Sequence, residues 1–200
     1  MKKILFAILI IFGATFLCGG NVADAQGKIL VAYFSRIGNE FGVGNVEKGN
    51  TAKVAEIIAA KVGADIFEIK PVKNYPADYE ECKKISSREK ATKARPKIVG
   101  AVENFSQYDT IFLGYPIWYG DAPMIIYTFL ESYDFSGKNI VPFCTHGGSG
   151  LSSTDQQFTL ACPSAKILQG FEIHGTIAQN DPAETDAKVS AWLQKIGFEK

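Results

Sequence analysis

Three short stretches hold the residue types that could do chemistry. The first is Ser35-Arg36-Ile37-Gly38-Asn39, continued further along by Gly49-Asn50-Thr51. The second is Pro116-Ile117-Trp118-Tyr119-Gly120-Asp121, and the third is Thr145-His146-Gly147-Gly148-Ser149-Gly150. Ser35, Asn50 and Thr51 offer hydroxyls and backbone amides where a helix begins, which suits a phosphate dianion without requiring Lys or Arg. Trp118 and Tyr119 are adjacent aromatics in a loop flanked by Pro and Gly. They are poorly explained as core and suit a flat ring. The glycines between Gly147 and Gly150 let a polar ring edge come close to backbone donors.

Other chemistries fit less well. Residues 42–47 (GVGNVE) half-match a dinucleotide fingerprint but lack the third Gly and lie too far after the preceding strand. Residues 147–151 (GGSGL) half-match a nucleophile elbow and fail at the last position. His146 beside Ser149 suggests a hydrolase, yet the sequence places no acidic partner to orient the imidazole. His146 and His174 are the only two histidines, and they have no metal-ligand spacing.

The elements that position these stretches alternate in period. Residues 28–34 (KILVAYF) are a continuous apolar run, as expected of a strand buried on both faces. Residues 51–62 read as a helix, with Val54, Ile57, Ile58 and Val62 on one stripe. Strands are expected at 65–69, 110–115 and 139–144, the last weakened by Pro142. A fifth is expected within 166–174, interrupted at Gly170. Cap and first-turn logic starts a helix at Asp121, with Pro123, running through Leu130. The capping box Asp181-Pro182-Ala183-Glu184 opens the last helix, with Val189, Trp192, Leu193 and Ile196 on one face. Residues 80–95 hold six basic and three acidic side chains, read as a solvated helix face. Strands alternating with helices predict an α/β fold with a parallel sheet. All three chemical stretches then fall at one edge of that sheet, at the carboxyl ends of its strands.

The chain has 200 residues, enough for one domain plus a processing segment. Lys and Arg number 21, as do Asp and Glu, so the net charge is +0. Such a balance gives no bulk attraction for nucleic acid. Residues 1–25 read as a secretory signal peptide. Lys2 and Lys3 precede an apolar run, and Ala23-Asp24-Ala25 supplies the small residues a signal peptidase inspects. Cleavage is expected before Gln26, leaving residues 26–200 exported, periplasmic or secreted, without stable membrane insertion. No Arg-Arg pair marks the leader for export of a folded protein, so the chain is expected to cross unfolded. Cys82, Cys144 and Cys162 then remain. Cys144 with Cys162 is the pair to examine for a disulfide, against the simpler expectation of buried free thiols.

The three stretches suit the three parts of flavin mononucleotide (FMN): phosphate, ring face and ring edge. Here the sequence resembles the flavodoxin family. The combination LGYPIWYGDAP, FLESYDFSGK and PFCTHGGSG carries the likeness, which covers residues 28–197. The resemblance implies a flavodoxin-like three-layer sandwich with a five-stranded parallel sheet in the order 2-1-3-4-5 and non-covalent FMN. Residue by residue it implies a phosphate loop of Ser35, Arg36, Asn50 and Thr51, opened by Gly49. It also implies a ring-flanking loop of Pro116, Ile117, Trp118, Tyr119 and Gly120. The second flavin loop would be Thr145, His146, Gly147, Gly148, Ser149 and Gly150. Two features depart from the pattern. Residues 37–48 interrupt the phosphate loop, setting Gly38-Asn39 against Gly49-Asn50 as the phosphate contact, and Gly49-Asn50 is preferred because it directly opens the helix. The signal peptide is the second departure. The implied function is electron transfer with redox partner proteins or a small-molecule acceptor. The alternative is an FMN-dependent NAD(P)H:quinone-type oxidoreductase, which needs a second pocket over the ring. The insertion at 37–48, with Phe41 and Val43 among glycines, could wall such a pocket, but its composition does not decide between the two. Electron transfer itself requires no catalytic acid, base or nucleophile.

Overall fold

The structure, a computed structural model, describes residues 27–199. The expected signal peptide lies outside them. Among the described residues, no helix is long and apolar enough to cross a membrane.

The central sheet is built from β1 (Lys28–Tyr33), β4 (Asp65–Glu68), β5 (Tyr108–Pro116), β6 (Asn139–His146), β7 (Lys166–Ile167) and β8 (Phe171–His174). All its pairings are parallel, in the order β4-β1-β5-β6, with β7 and β8 successively beside β6. By position this is the 2-1-3-4-5 order expected, but the fifth position is filled by two strands rather than one. The break has a cause in β6. Ile140 accepts a hydrogen bond on its outer side from Leu168, 2.9 Å away. Two residues on, Pro142 faces the same side and has no N–H to give. Its carbonyl lies 3.0 Å from where a Cβ on Gly170 would sit. The fifth position therefore breaks opposite the missing donor and resumes at Phe171, paired with Phe143.

Both faces of the sheet are covered, which is why its strands read as unbroken apolar runs. Leu30, Ala32, Ile111, Leu113, Tyr115 and Ile140 point to one side. There they meet α3 (Met124–Glu131) and α4 (Thr154–Ala161), with α2 (Tyr79–Thr92) beside α3. Val31, Tyr33, Phe112, Val141 and Phe143 point to the other, against α1 (Asn50–Val62), α5 (Gly175–Asn180) and α6 (Pro182–Lys195). The helix ends follow from local chemistry. Gly63 closes α1 at φ 64°, and Asp181 caps α6 by accepting from the Glu184 amide at 2.9 Å.

One local expectation needs correction, and two further features were not foreseen. The helix expected from Asp121 begins at Met124. The Asp121 carboxylate is taken instead by the Ala122 amide and the Tyr127 hydroxyl, each at 2.7 Å. Residues 37–48 are not a plain loop. They form an antiparallel hairpin of β2 (Gly38–Glu40) and β3 (Gly44–Val46). Helix α4 follows the third glycine-rich stretch, where the sequence pattern showed none.

Cys82, Cys144 and Cys162 are free and buried. Burial pushes the Cys82 and Cys162 thiols up to about 11, and Cys144 higher still. At pH 8 all three are therefore neutral and shielded. In the folded protein they are expected to resist alkylation by iodoacetamide and to react together on unfolding. Rapid labelling of any one in the native protein, read by mass spectrometry, would contradict this burial.

Candidate functional site

The carboxyl ends of β1, β5 and β6 bring the three stretches to one edge. The first is pinned by a close approach. A Cβ on Gly49 would lie 2.2 Å from both the Arg36 carbonyl oxygen and the Ser35 Oγ. Gly49 has ordinary extended backbone, φ −67° and ψ 154°, so contact rather than conformation demands glycine here. The contact sets the start of α1 directly against the end of β1. Ser35 Oγ then accepts from the Ala52 amide at 3.1 Å. The amides of Asn50 and Thr51 precede the first intrahelical bond, and among the described residues no hydrogen bond reaches them. Beside them the Asn50 Oδ1 is buried without a partner. Unpaired donors at the positive end of a thirteen-residue helix, beside an unpaired acceptor, fit a phosphate carried on a hydroxyl-bearing chain.

Gly38-Asn39 lies elsewhere. Gly38, at φ 106°, rests on Ala77, and the Asn39 amide donates to the Ala77 carbonyl at 2.8 Å. Arg36 is drawn the same way. Its buried guanidinium donates to Glu40 Oε1 at 2.8 Å, to the Pro76 carbonyl at 2.6 Å, to the Ala77 carbonyl and to the Asn39 carbonyl. Its donors are thus engaged in holding the hairpin base rather than at the start of α1. Burial pushes the Glu40 carboxyl up while Arg36 pulls it down.

The second stretch leaves β5 at Pro116, and the Ile117 amide donates to the Thr145 carbonyl at 2.9 Å. Trp118 and Asp121 exchange backbone hydrogen bonds of 2.8 and 3.2 Å across a two-residue turn. Tyr119 at φ 53° and Gly120 at φ 73° are both left-handed, the pattern of a type I′ turn. An aromatic residue in that conformation costs about 1 kcal/mol or more. Helix α2 holds it there: Tyr119 donates its hydroxyl to the Lys83 carbonyl at 2.9 Å, and Lys90 donates to the Tyr119 carbonyl at 2.5 Å. The two aromatics are placed differently. Trp118 packs edge-on against Tyr75 and Phe34, with ring centroids 5.0 and 5.5 Å away. Tyr119 is 48% exposed. A 120 Å³ cleft beside them is lined by Arg36, Glu40, Tyr79, Cys82 and Ile117 among others. A separate 460 Å³ cleft around Val72, Ile85 and Arg88 contains no residue of the three stretches.

The third stretch is tied to the first by Thr145, whose buried Oγ1 lies 2.8 Å from Thr51 Oγ1. His146 Nδ1 accepts from the Gly148 amide at 2.9 Å, so its proton is on Nε2, bonded to Glu172. Both ring nitrogens are thereby occupied, and neither serves Ser149, so the hydrolase arrangement is not assembled. Gly148 at φ 124° and Gly150 at φ 60° use conformations open to glycine, and Gly147 faces the Phe41 ring.

Three neighbours of the site, Glu172, His174 and Tyr79, escaped the sequence reading, which named Phe41 only as part of the insertion at 37–48. Glu172 was hidden because it meets His146 only through the β6–β8 register, which pairs Cys144 with Glu172 and His146 with His174. His174, whose Nδ1 lies 2.7 Å from Thr176 Oγ1, depends on the same register. Phe41 and Tyr79 depend on where the hairpin lands. Among the described residues, no group of three or more His, Cys, Asp or Glu side chains could hold a metal.

A doubly covered parallel sheet with its polar loops gathered at one edge defines an α/β protein of the doubly wound kind. The flavodoxin family profile matches residues 28–196, and the chain belongs to that family. A Bacteroides eggerthii protein provisionally classed as a flavoprotein is 35% identical, with a TM-score of 0.69 over 86% of this chain and 99% of its own. A Bacteroides uniformis protein of the same provisional class is 34% identical, with a TM-score of 0.69 over 84% and 98% of the two chains. A Lactobacillus acidophilus flavoprotein solved in complex with FMN is 20% identical, with a TM-score of 0.60 over 81% and 98%, and shares the fold. No curated protein matches the chain.

The Thr51–Thr145 pair ties α1 to β6 out of water. Thr51→Val strands the Thr145 hydroxyl and is expected to cost about 1–3 kcal/mol. Adding Thr145→Val should restore much of that loss, as read by urea denaturation. Additive losses in the double variant would show that the hydroxyls do not bond.

Proposed function

We propose that this protein is an FMN-binding electron-transfer flavoprotein. The observation that carries the reading is the start of α1, with the free Asn50 and Thr51 amides beside the unpaired Asn50 Oδ1. Those amides would hold the phosphate, with the Ser35 hydroxyl fixing the helix end against β1. Asn50 Oδ1 would accept from a hydroxyl of the ribityl chain. Tyr119 offers the exposed aromatic face, with Trp118 supporting it from the core. The backbone from Gly147 to Gly150 would meet the ring's polar edge, and His146 holds that loop through the Gly148 amide. Bound FMN would supply the redox chemistry at its isoalloxazine ring. The protein's task is to bind it, exclude water from one face and set its electrostatic surroundings. The electrons would pass to redox partner proteins or to a small-molecule acceptor.

A second reading, an FMN-dependent NAD(P)H:quinone-type oxidoreductase, needs a wall over the ring. The β2–β3 hairpin favours it by reaching the third stretch. NADPH oxidation by the loaded protein, with and without a quinone, separates the two.

Asn50→Ala tests the cofactor site. It removes an acceptor that nothing among the described residues satisfies, so the stability of the FMN-free protein should not fall. FMN affinity should fall by about 1 kcal/mol, roughly five-fold. Unchanged affinity by calorimetry would remove Asn50 from the site.

A further inference from the structure

Phe41, at the tip of the β2–β3 hairpin, is 63% exposed. An aromatic ring left largely in water contributes little to folding. Its neighbours are specific. The Phe41 Cδ1 lies 2.8 Å from where a Cβ on Gly147 would sit, and its ring centroid is 6.3 Å from that of Tyr79. Gly42, next along the tip, lies near the Thr176 methyl. The tip thus reaches from the third stretch to the first residue of α2, and α2 holds the Tyr119 turn through the Lys83 carbonyl and Lys90. Gly147, Phe41, Tyr79, α2, Tyr119 and, through Ile117, Thr145 form a closed circuit around the mouth of the site.

The hairpin is built to hold that position. Arg36 and the Asn39 amide clamp its base to Pro76 and Ala77, and Val46 is buried. Gly42 and Gly44, both at positive φ, let the tip turn sharply above this fixed base. A fixed base carrying an exposed aromatic ring to one particular glycine is poorly explained as a solvent-exposed turn. Gly147 supplies the complement: its lack of a side chain is what admits the Phe41 ring.

We infer that the hairpin tip is a third wall of the flavin site, with Phe41 a cofactor-contacting residue that shields the bound ring from solvent. This rests on the FMN reading above. The other two walls are the Tyr119 turn and the Gly147–Gly150 backbone. The tip therefore sets how much of the ring an electron donor or acceptor can reach.

The test compares wild type, Phe41→Ala, Phe41→Trp and Leu160→Ala. Leu160, 75% exposed on α4, controls for loss of a surface apolar group. FMN affinity, fluorescence of the bound flavin and its quenching by iodide are measured in each. The melting of FMN-free protein should match in all four, because Phe41 is mostly solvated. Phe41→Ala should bind FMN up to about ten-fold more weakly, the size expected of one aromatic contact. Its flavin should also be more open to iodide, while Phe41→Trp and Leu160→Ala keep wild-type affinity and iodide access. Wild-type affinity and iodide access in Phe41→Ala would overturn the inference while leaving the cofactor reading intact. Tighter binding would overturn it too, because the ring would then be a plug rather than a wall. Failure of the wild type to take up FMN would overturn the cofactor reading and the inference with it.

Discussion

The contact of Gly49 with the Ser35–Arg36 backbone is the constraint on which the site depends. No side chain fits between them, so α1 starts against the end of β1. That placement lets Ser35 cap the Ala52 amide and leaves the amides of Asn50 and Thr51 open at the sheet edge. It also decides the fate of residues 37–48. Chain that leaves at Arg36 must return to Gly49, almost where it began, so the intervening residues are pushed out as a hairpin. Arg36 then serves that hairpin, and its cost of burial is offset by Glu40 and three backbone carbonyls.

The remaining two stretches are held to the first by bonds that cross between strands. Thr51 meets Thr145, and Ile117 donates to the Thr145 carbonyl, so Thr145 links all three. The sheet beneath is packed between two apolar cores, one on each face. The loops above differ in character. The turn at Tyr119 is strained and held from outside by α2, whereas the third loop is glycine-rich and held from within by His146. Strain at an exposed aromatic residue is stored where a ligand could draw on it.

Much of this frame was legible in the sequence because it is local. Unbroken apolar runs disclosed β1, β5 and β6. The capping box at Asp181 disclosed α6, and Gly49 before a helical stripe disclosed the start of α1. The interruption at Gly170 was visible, although its cause, the missing donor of Pro142 on the neighbouring strand, was not. What stayed hidden depends on distant partners. Asp121 resembles a helix cap until Tyr127 claims its carboxylate. Arg36 resembles a phosphate ligand until the Pro76 and Ala77 carbonyls, forty residues away, claim its donors. Glu172 reaches His146 only through strand register, and Phe41 reaches Gly147 only once the hairpin base is anchored. Three-residue strands such as β2 and β3 carry too few residues to show a period.

The proposed function requires one sheet edge of this protein to bind FMN through the start of α1. Titrating the flavin-free protein with FMN, while following melting temperature and flavin fluorescence, tests it most directly. A single saturable site, with quenched fluorescence and a midpoint that rises with FMN concentration, is the predicted result. A melting temperature and a flavin spectrum that stay unchanged at large FMN excess would contradict the account.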